Sequence, residues 1–370
     1  MKHAVTRPLR LGDILHDKLA DKSIPSDEHN SRLKQALATI EQHIKHAKSD
    51  DDLVAAINLL TPFPVPVQYD NRRLNLITAL FCAASAITAV ILLLIEVETD
   101  YLLAPSAAMI ITLVTYAGMR LHRKTGLSKL SRKIEYLTGL FDYGLQHIAI
   151  NSKGKAREYG NRFRAFQLGD YSREIRSLLR GSYDGTDHSF SYEYYHFHYV
   201  NQRIETYTTT DSKGNVRVRT RTVYDHFDRY GFIVPFKFAK QLRISEGRLG
   251  FFSPKWKSSS VSFNKNFNVE TANEFEAAKF LTPKILVEIE SAGAALRGLD
   301  MEFNSLGELC FSFDNSNTLA SQNAGSLANP AAFAKHISGH NVRANLDAAL
   351  AFIHTLLKYS DNNFEQKQGG

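Results

Sequence analysis

Two short patterns in this 370-residue chain hold residue types that do chemistry. The first is His196-Phe197-His198. Alternate residues of a strand share a face, so both imidazoles would reach one ion. His226 and its neighbours Asp225 and Asp228 are the further donors such an ion would need. The same spacing fits two half-exposed histidines beside Tyr192 and Tyr194 on a polar sheet face. The expectation is that no metal or other cofactor is bound, His196, His198 and His226 being the residues that would hold one.

The second pattern is Arg217, Arg219 and Arg221. Alternation puts the three guanidinium groups on one sheet face and Val216 and Val218 on the other. Across a hairpin with the turn 211–215, Glu205, Tyr207 and Thr209 would share the arginine face, Glu205 pairing with one arginine and Tyr207 stacking on another. Unpaired guanidinium there would suit a lipid phosphate, nucleic acid or an acidic partner. A solvated face whose charges keep the strands from aggregating explains the pattern equally simply. No RNP-like or helix-turn-helix pattern accompanies it, so nucleic acid is not an expected partner. Glycine-rich nucleotide loops, HExxH, GxSxG and CxxC are absent. Ser182-Tyr-Asp-Gly-Thr186 has the outline of an aspartate-phosphatase loop, with Ser where the nucleophilic Asp is required.

The elements that must position these residues begin with two apolar runs. Residues 74–95 and 101–119 carry no charged side chain, and a helix of about 20 such residues crosses a bilayer core. Pro105 falls in the first turn of the second run, where a missing N–H is tolerated. Arg72 and Arg73 precede the first run, and Arg120, Arg123, Lys124, Lys129, Arg132 and Lys133 follow the second, while Glu96, Glu98 and Asp100 lie between them. Lys and Arg stay on the cytoplasmic side. The expected topology is therefore a multi-pass protein of a bacterial inner membrane with both termini cytoplasmic. Arg120, Arg123 and Lys124 are the expected contacts to anionic lipid. The first 19 residues lack the apolar core of a cleavable signal.

Around the hairpin, the reading is an α+β protein with a mainly antiparallel sheet flanked by helices. Residues 1–70 are a helical region and linker, with Leu33, Leu37, Ile40 and Ile44 on one face and a helix start at 50–52. Residues 71–122 hold the hairpin. Residues 123–185 read as a juxtamembrane helical region, on the seam of Leu127, Leu130, Ile134, Leu137 and Phe141. Residues 186–315 are the α+β domain. Its expected strands include one at 232–238, with Pro235 at an edge or bulge, and one at 261–263. Its expected helix starts are a capping box from Thr271 to Glu274 and Thr282-Pro283. Residues 316–370 read as a loop, a C-terminal helix and a disordered tail. A composition of 44% hydrophobic and 22% charged residues excludes wholesale disorder, and two cysteines are too few for a disulfide scaffold.

The segments 231–238 and 262–271, then Ala277 to Pro283 and Glu302 to Phe313, resemble the bacterial membrane-protein family catalogued only as domain of unknown function 3137. The resemblance spans about residues 120 to 315. It implies two membrane spans followed by a cytoplasmic α+β body, and it brings no catalytic residue. The expected function is a membrane-tethered, non-enzymatic module recognising a cytoplasmic protein or an anionic lipid surface, with self-association allowed. The alternatives are a metal-dependent enzyme using the His-x-His face and, weaker because neither span carries charge, an oligomeric pore.

Overall fold

A computed structural model describes residues 25–95, 103–210, 214, 216–246, 255–321 and 325–364. Glu96, Glu98 and Asp100, most of the turn 211–215, and tail residues 365–370 lie outside them. The helices are α1 (Ser26–His46), α2 (Asp50–Asn58), α3 (Arg72–Leu94), α4 (Leu103–Asp142), α5 (Ser152–Arg162), α6 (Val261–Asn266), α7 (Glu274–Phe280), α8 (Pro283–Ala295), α9 (Pro330–Ile337) and α10 (Ala344–Phe364). The strands are β1 (Gln146–His147), β2 (Ser172–Asp184), β3 (Ser189–Thr210), β4 (Val216–Pro235), β5 (Leu242–Glu246), β6 (Lys255–Trp256), β7 (Phe267–Thr271), β8 (Asp300–Phe303) and β9 (Glu308–Phe313). The chain divides into two compact units, Met1–Asp142 with Ser321–Asn341, and Tyr143–Ala320 with Val342–Gly370.

In the first unit the apolar stripe of α1 packs on α2, on the later turns of α4 and on α9. Leu33, Ile40, Ile44, Leu53, Ile57, Leu130, Ile134, Phe333 and Ile337 share this core. Each such side chain stabilises the fold by about 1.5–3 kcal/mol when fully buried. Ser49 caps α2 by accepting the Asp52 N–H, behind three aspartates that suit a helix N-terminus. The residues after the second apolar run do continue its helix, to Asp142, and they bury against their own unit. The linker is fixed: Val67 donates its N–H to Ala328 O at 2.8 Å, and Asn30 exchanges two hydrogen bonds with the Asp70 backbone. α3 buries none of its residues, and both α3 and α4 are long and apolar enough to cross a membrane.

The second unit is one antiparallel sheet, ordered β1-β2-β3-β4-β9-β8-β5-β7-β6 among the described residues. One face carries α5 and a single 3-10 turn (Arg164–Gln167), whose Tyr159, Phe163 and Phe166 pack on Tyr195, Phe197, Ile233 and Cys310. On the other face Phe311 meets Phe352 of α10 at 5.4 Å, and Phe236 meets Phe280 of α7 at 5.8 Å. β3 is paired to β2 only as far as Val200, and β4 to β9 only from Tyr230. Beyond those points the two strands pair with each other alone, as a ribbon running to Thr210 and Val216.

Several expectations change. Residues 123–185 are helical only in part, because β2 occupies Ser172–Asp184. Its charges and a bulge between Ile175 and Ser177 break the period-two signal. Pro235 ends β4 with no bulge and is paired on one side only, opposite Glu308 of β9, because β3 pairs no further than Ile233. Residues 261–263 open α6, capped by Ser260, which accepts the Phe263 N–H. Asn273, not Thr271, caps α7, accepting from Phe275 and Glu276. The chain 316–370 is split, with α9 in the first unit and α10 in the second. Residues 361–364, expected in the tail, finish α10.

Candidate functional site

At the end of the apolar part of α4 the helix changes character within one turn. Ala117 and Leu121 are followed by Arg123, Lys124, Leu127, Ser128 and Arg132 on the same side. Opposite them run linker residues 66–69 with Asn71, and Gly325, Ser326 and Ala328 of the loop before α9. Together they enclose a groove of about 900 Å³. Arg120, Arg123, Lys124 and Arg132 line it, and among the described residues no acidic side chain does.

Three of the four cations are held by neutral partners. Arg120 donates to Tyr116 Oη at 3.0 Å. Arg123 donates to Asn71 Oδ1 at 2.7 Å and lies over the Tyr69 ring, 5.5 Å from its centroid. Burial raises the Tyr69 phenol above its ordinary value despite the charge of Arg123. Arg132 donates to Ser128 O at 3.4 Å. None of the four meets a carboxylate among the described residues, so the groove presents four positive charges without an internal counter-ion. Val67, Tyr69, Leu121 and Leu127 give it an apolar floor. Ser131 closes the far wall, accepting the Leu327 N–H at 3.0 Å while donating to Leu127 O. A phosphate or carboxylate attached to an apolar body fits this combination.

The three expected lipid contacts, Arg120, Arg123 and Lys124, are thus brought together. The sequence reading missed the opposite wall, Tyr69, Asn71, Gly325, Ser326 and Ala328, which only tertiary packing brings near.

The histidine pattern is also brought together, in the second unit. His196 Nε2 and His198 Nδ1 both reach Asp228 Oδ1, at 2.7 and 2.9 Å. His198 Nε2 lies 3.2 Å from His226 Nδ1. Four of the six ring nitrogens are thereby engaged with Asp228 or with each other. Among the described residues no group of three or more His, Cys, Asp or Glu side chains is placed to hold one metal ion. Burial raises the Asp228 carboxyl, but the hydrogen bonds from the two imidazoles and their charge outweigh it, leaving it below the usual value. Asp225, a proposed fifth donor, is on the opposite face and pairs with Arg203. The surroundings also differ from a polar face: His198 is buried, and Tyr192 and Tyr194 pack on Phe232.

Arg217, Arg219 and Arg221 share one face of the ribbon, opposite Thr209, Tyr207 and Glu205 in register. Arg221 donates Nε to Glu205 at 2.8 Å and lies 5.8 Å from the Tyr207 centroid. Two hydrogen bonds from Arg221 and Arg203 hold Glu205 below the ordinary carboxylate range. The guanidinium groups of Arg217 and Arg219 are exposed and make no ion pair among the described residues. The other face of the ribbon exposes Ile204, Val216 and Val218.

No family model, no curated protein and no solved structure matches this chain.

Proposed function

We propose that this chain is a non-enzymatic module tethered in a bacterial inner membrane by the α3–α4 hairpin, with both termini cytoplasmic, and that it seats an anionic lipid headgroup in the basic groove. The resemblance to the two-span family agrees with this reading. The observation that carries it is the position of the groove. Its four cations begin where the apolar stretch of α4 ends, which is the depth of the headgroup layer if that stretch spans the core. An unbalanced set of guanidinium groups above an apolar floor matches the two parts of a phospholipid.

The test uses the full chain in nanodiscs of phosphatidylcholine doped with phosphatidylglycerol, with bound lipid quantified by native mass spectrometry. Replacing Arg120 and Arg123 together by Gln removes two charges at about 1 kcal/mol each. Preference for phosphatidylglycerol is expected to fall about thirtyfold at low salt. Wild-type protein that carries both lipids in proportion to their supply would overturn the reading.

A protein partner is the second reading, and the ribbon favours it. Ile204, Val216 and Val218 are each more than half exposed on one face, with free arginines on the other. Ile204→Asp with Val218→Asp should leave the melting temperature unchanged and abolish any stoichiometric protein that co-purifies in mild detergent. A co-purifying protein that survives both changes would show that the ribbon does not recruit it.

A further inference from the structure

The second unit holds a separate cavity of about 300 Å³. The strand order β8-β5-β7 sets Glu302, Arg243 and Glu270 side by side in one row, since Arg243 is opposite both carboxylates in register. Arg162, at the end of α5, and Arg164 add to the wall, and Gln241, Thr271, Asn304 and Ser305 supply amide and hydroxyl groups.

Most of these charges are spoken for. Arg243 donates Nε and Nη2 to the two oxygens of Asp300, at 3.0 and 2.6 Å. Arg162 donates to both oxygens of Glu308. Glu302 accepts the backbone N–H groups of Arg164 and Ala165 at 3.0 and 3.2 Å. Burial still pushes its carboxyl above the ordinary value. Glu270 is different. It is 5% exposed, and both of its carboxylate oxygens are enclosed with no hydrogen-bond donor among the described residues. Its ion pair with Arg164 Nη1 spans 3.6 Å, beyond hydrogen-bond reach. A buried carboxylate left in this state has given up its water without a hydrogen bond in return, at a greater cost than a neutral polar group. Gln241 adds a second cost: among the described residues it is the non-glycine with positive φ, at 50°. Strain of this kind gathers where a ligand is held.

We infer that this cavity binds a small organic cation, a primary amine or a guanidine, whose N–H groups satisfy the Glu270 carboxylate. Arg162 and Arg243 are already doubly bonded to Glu308 and Asp300, which leaves the Glu270 carboxylate as the group in this wall that an added N–H donor would satisfy. An N–H cation is chosen over a metal because the described residues offer no set of three donors around one point. An anion would face Glu270 with Arg162 and Arg243 already doubly bonded. The site lies within the second unit and does not depend on the lipid reading.

Isothermal titration of the full-length chain in detergent, with ethylamine, methylguanidine and acetate as probes, decides it. Saturable binding of ethylamine or methylguanidine is expected, with none for acetate. Glu270→Gln keeps the shape and should weaken the cation at least tenfold, while Glu270→Asp keeps the charge and should fall between the two. Melting curves identify any variant that does not fold, and the wild-type titration stands without them. Wild-type protein that binds neither cation, that prefers acetate, or that loses nothing on Glu270→Gln would overturn the inference.

Discussion

Gly231→Val is expected to destabilise the second unit by about 3 kcal/mol or more. Gly231 lies on β4 between Tyr195 of β3 and Ser312 of β9. A Cβ there would overlap the carbonyl oxygen of Phe311 and stand 2.9 Å from Ser312 Cα. Both are β9 backbone, which cannot rotate aside. The remaining neighbour, the Tyr195 hydroxyl at 2.6 Å, is the tip of a buried side chain already in contact with Cys310 Sγ at 3.4 Å. Burial of that pair raises both the phenol and the thiol well above their ordinary values. The only relief is for β9 to draw away from β4. That is costly because the β4–β9 ladder alone joins β1–β4 to the other five strands in the sheet order. Thermal unfolding of the full chain in detergent should show the transition of this unit lowered by about 6–12 °C. Alanine should have nearly the same effect, since the clash begins at Cβ. An unshifted transition would mean that the two strands do not approach as closely as described.

How much of this was legible depends on how far the signal travels along the chain. The two apolar runs, the α1 stripe and the Thr282-Pro283 helix start are local patterns, and each forms the expected element. Arg217, Arg219 and Arg221 needed only strand alternation and one hairpin, and the register puts Glu205 and Tyr207 beside them as expected. The half of the groove on α4 was legible because a charge cluster after an apolar run is itself a sequence feature. The other half was not, since residues 66–69 and Asn71, with Gly325, Ser326 and Ala328, reach it through packing and the Val67–Ala328 hydrogen bond. The row Glu270-Arg243-Glu302 was invisible for the same reason. Each residue is a charge in a short strand of four or five residues and reads alone as a solvent-facing position. Only the order β8-β5-β7 reveals three neighbours. Asp225 falls on the other face because its register partner, Asn201, lies on the opposite face from His198.

Arg243→Ala is expected to cost about 3–5 kcal/mol, the price of leaving a buried partner uncompensated. Arg243 and Asp300 are 17% and 8% exposed at their side chains. Burial alone would make Arg243 easier to deprotonate, but the Asp300 hydrogen bonds and the charges of Glu302 and Glu270 hold its proton more firmly than usual. Without that cation, Asp300, Glu302 and Glu270 face one another across neighbouring strands. Burial already holds Glu302 above its ordinary value and the Arg243 charge opposes that, so without Arg243 it should rise further, and the folded variant should bind a proton that its unfolded chain does not. Stability then falls as pH climbs from the ordinary carboxylate range through the raised value. The loss on Arg243→Ala should therefore be larger at pH 8 than at pH 5, and Asp300→Asn in the same chain should return part of it. Denaturant titrations of the single and double variants at both pH values would check this, and equal losses at the two would show that Arg243 does not hold these carboxylates in their ionised form. Arg243→Lys should lose less, keeping the charge while giving up the two-pronged contact. Apolar side chains of similar volume would join these three strands as well or better. Stability alone therefore does not account for a charged row at this place, whereas a cation seated against Glu270 does.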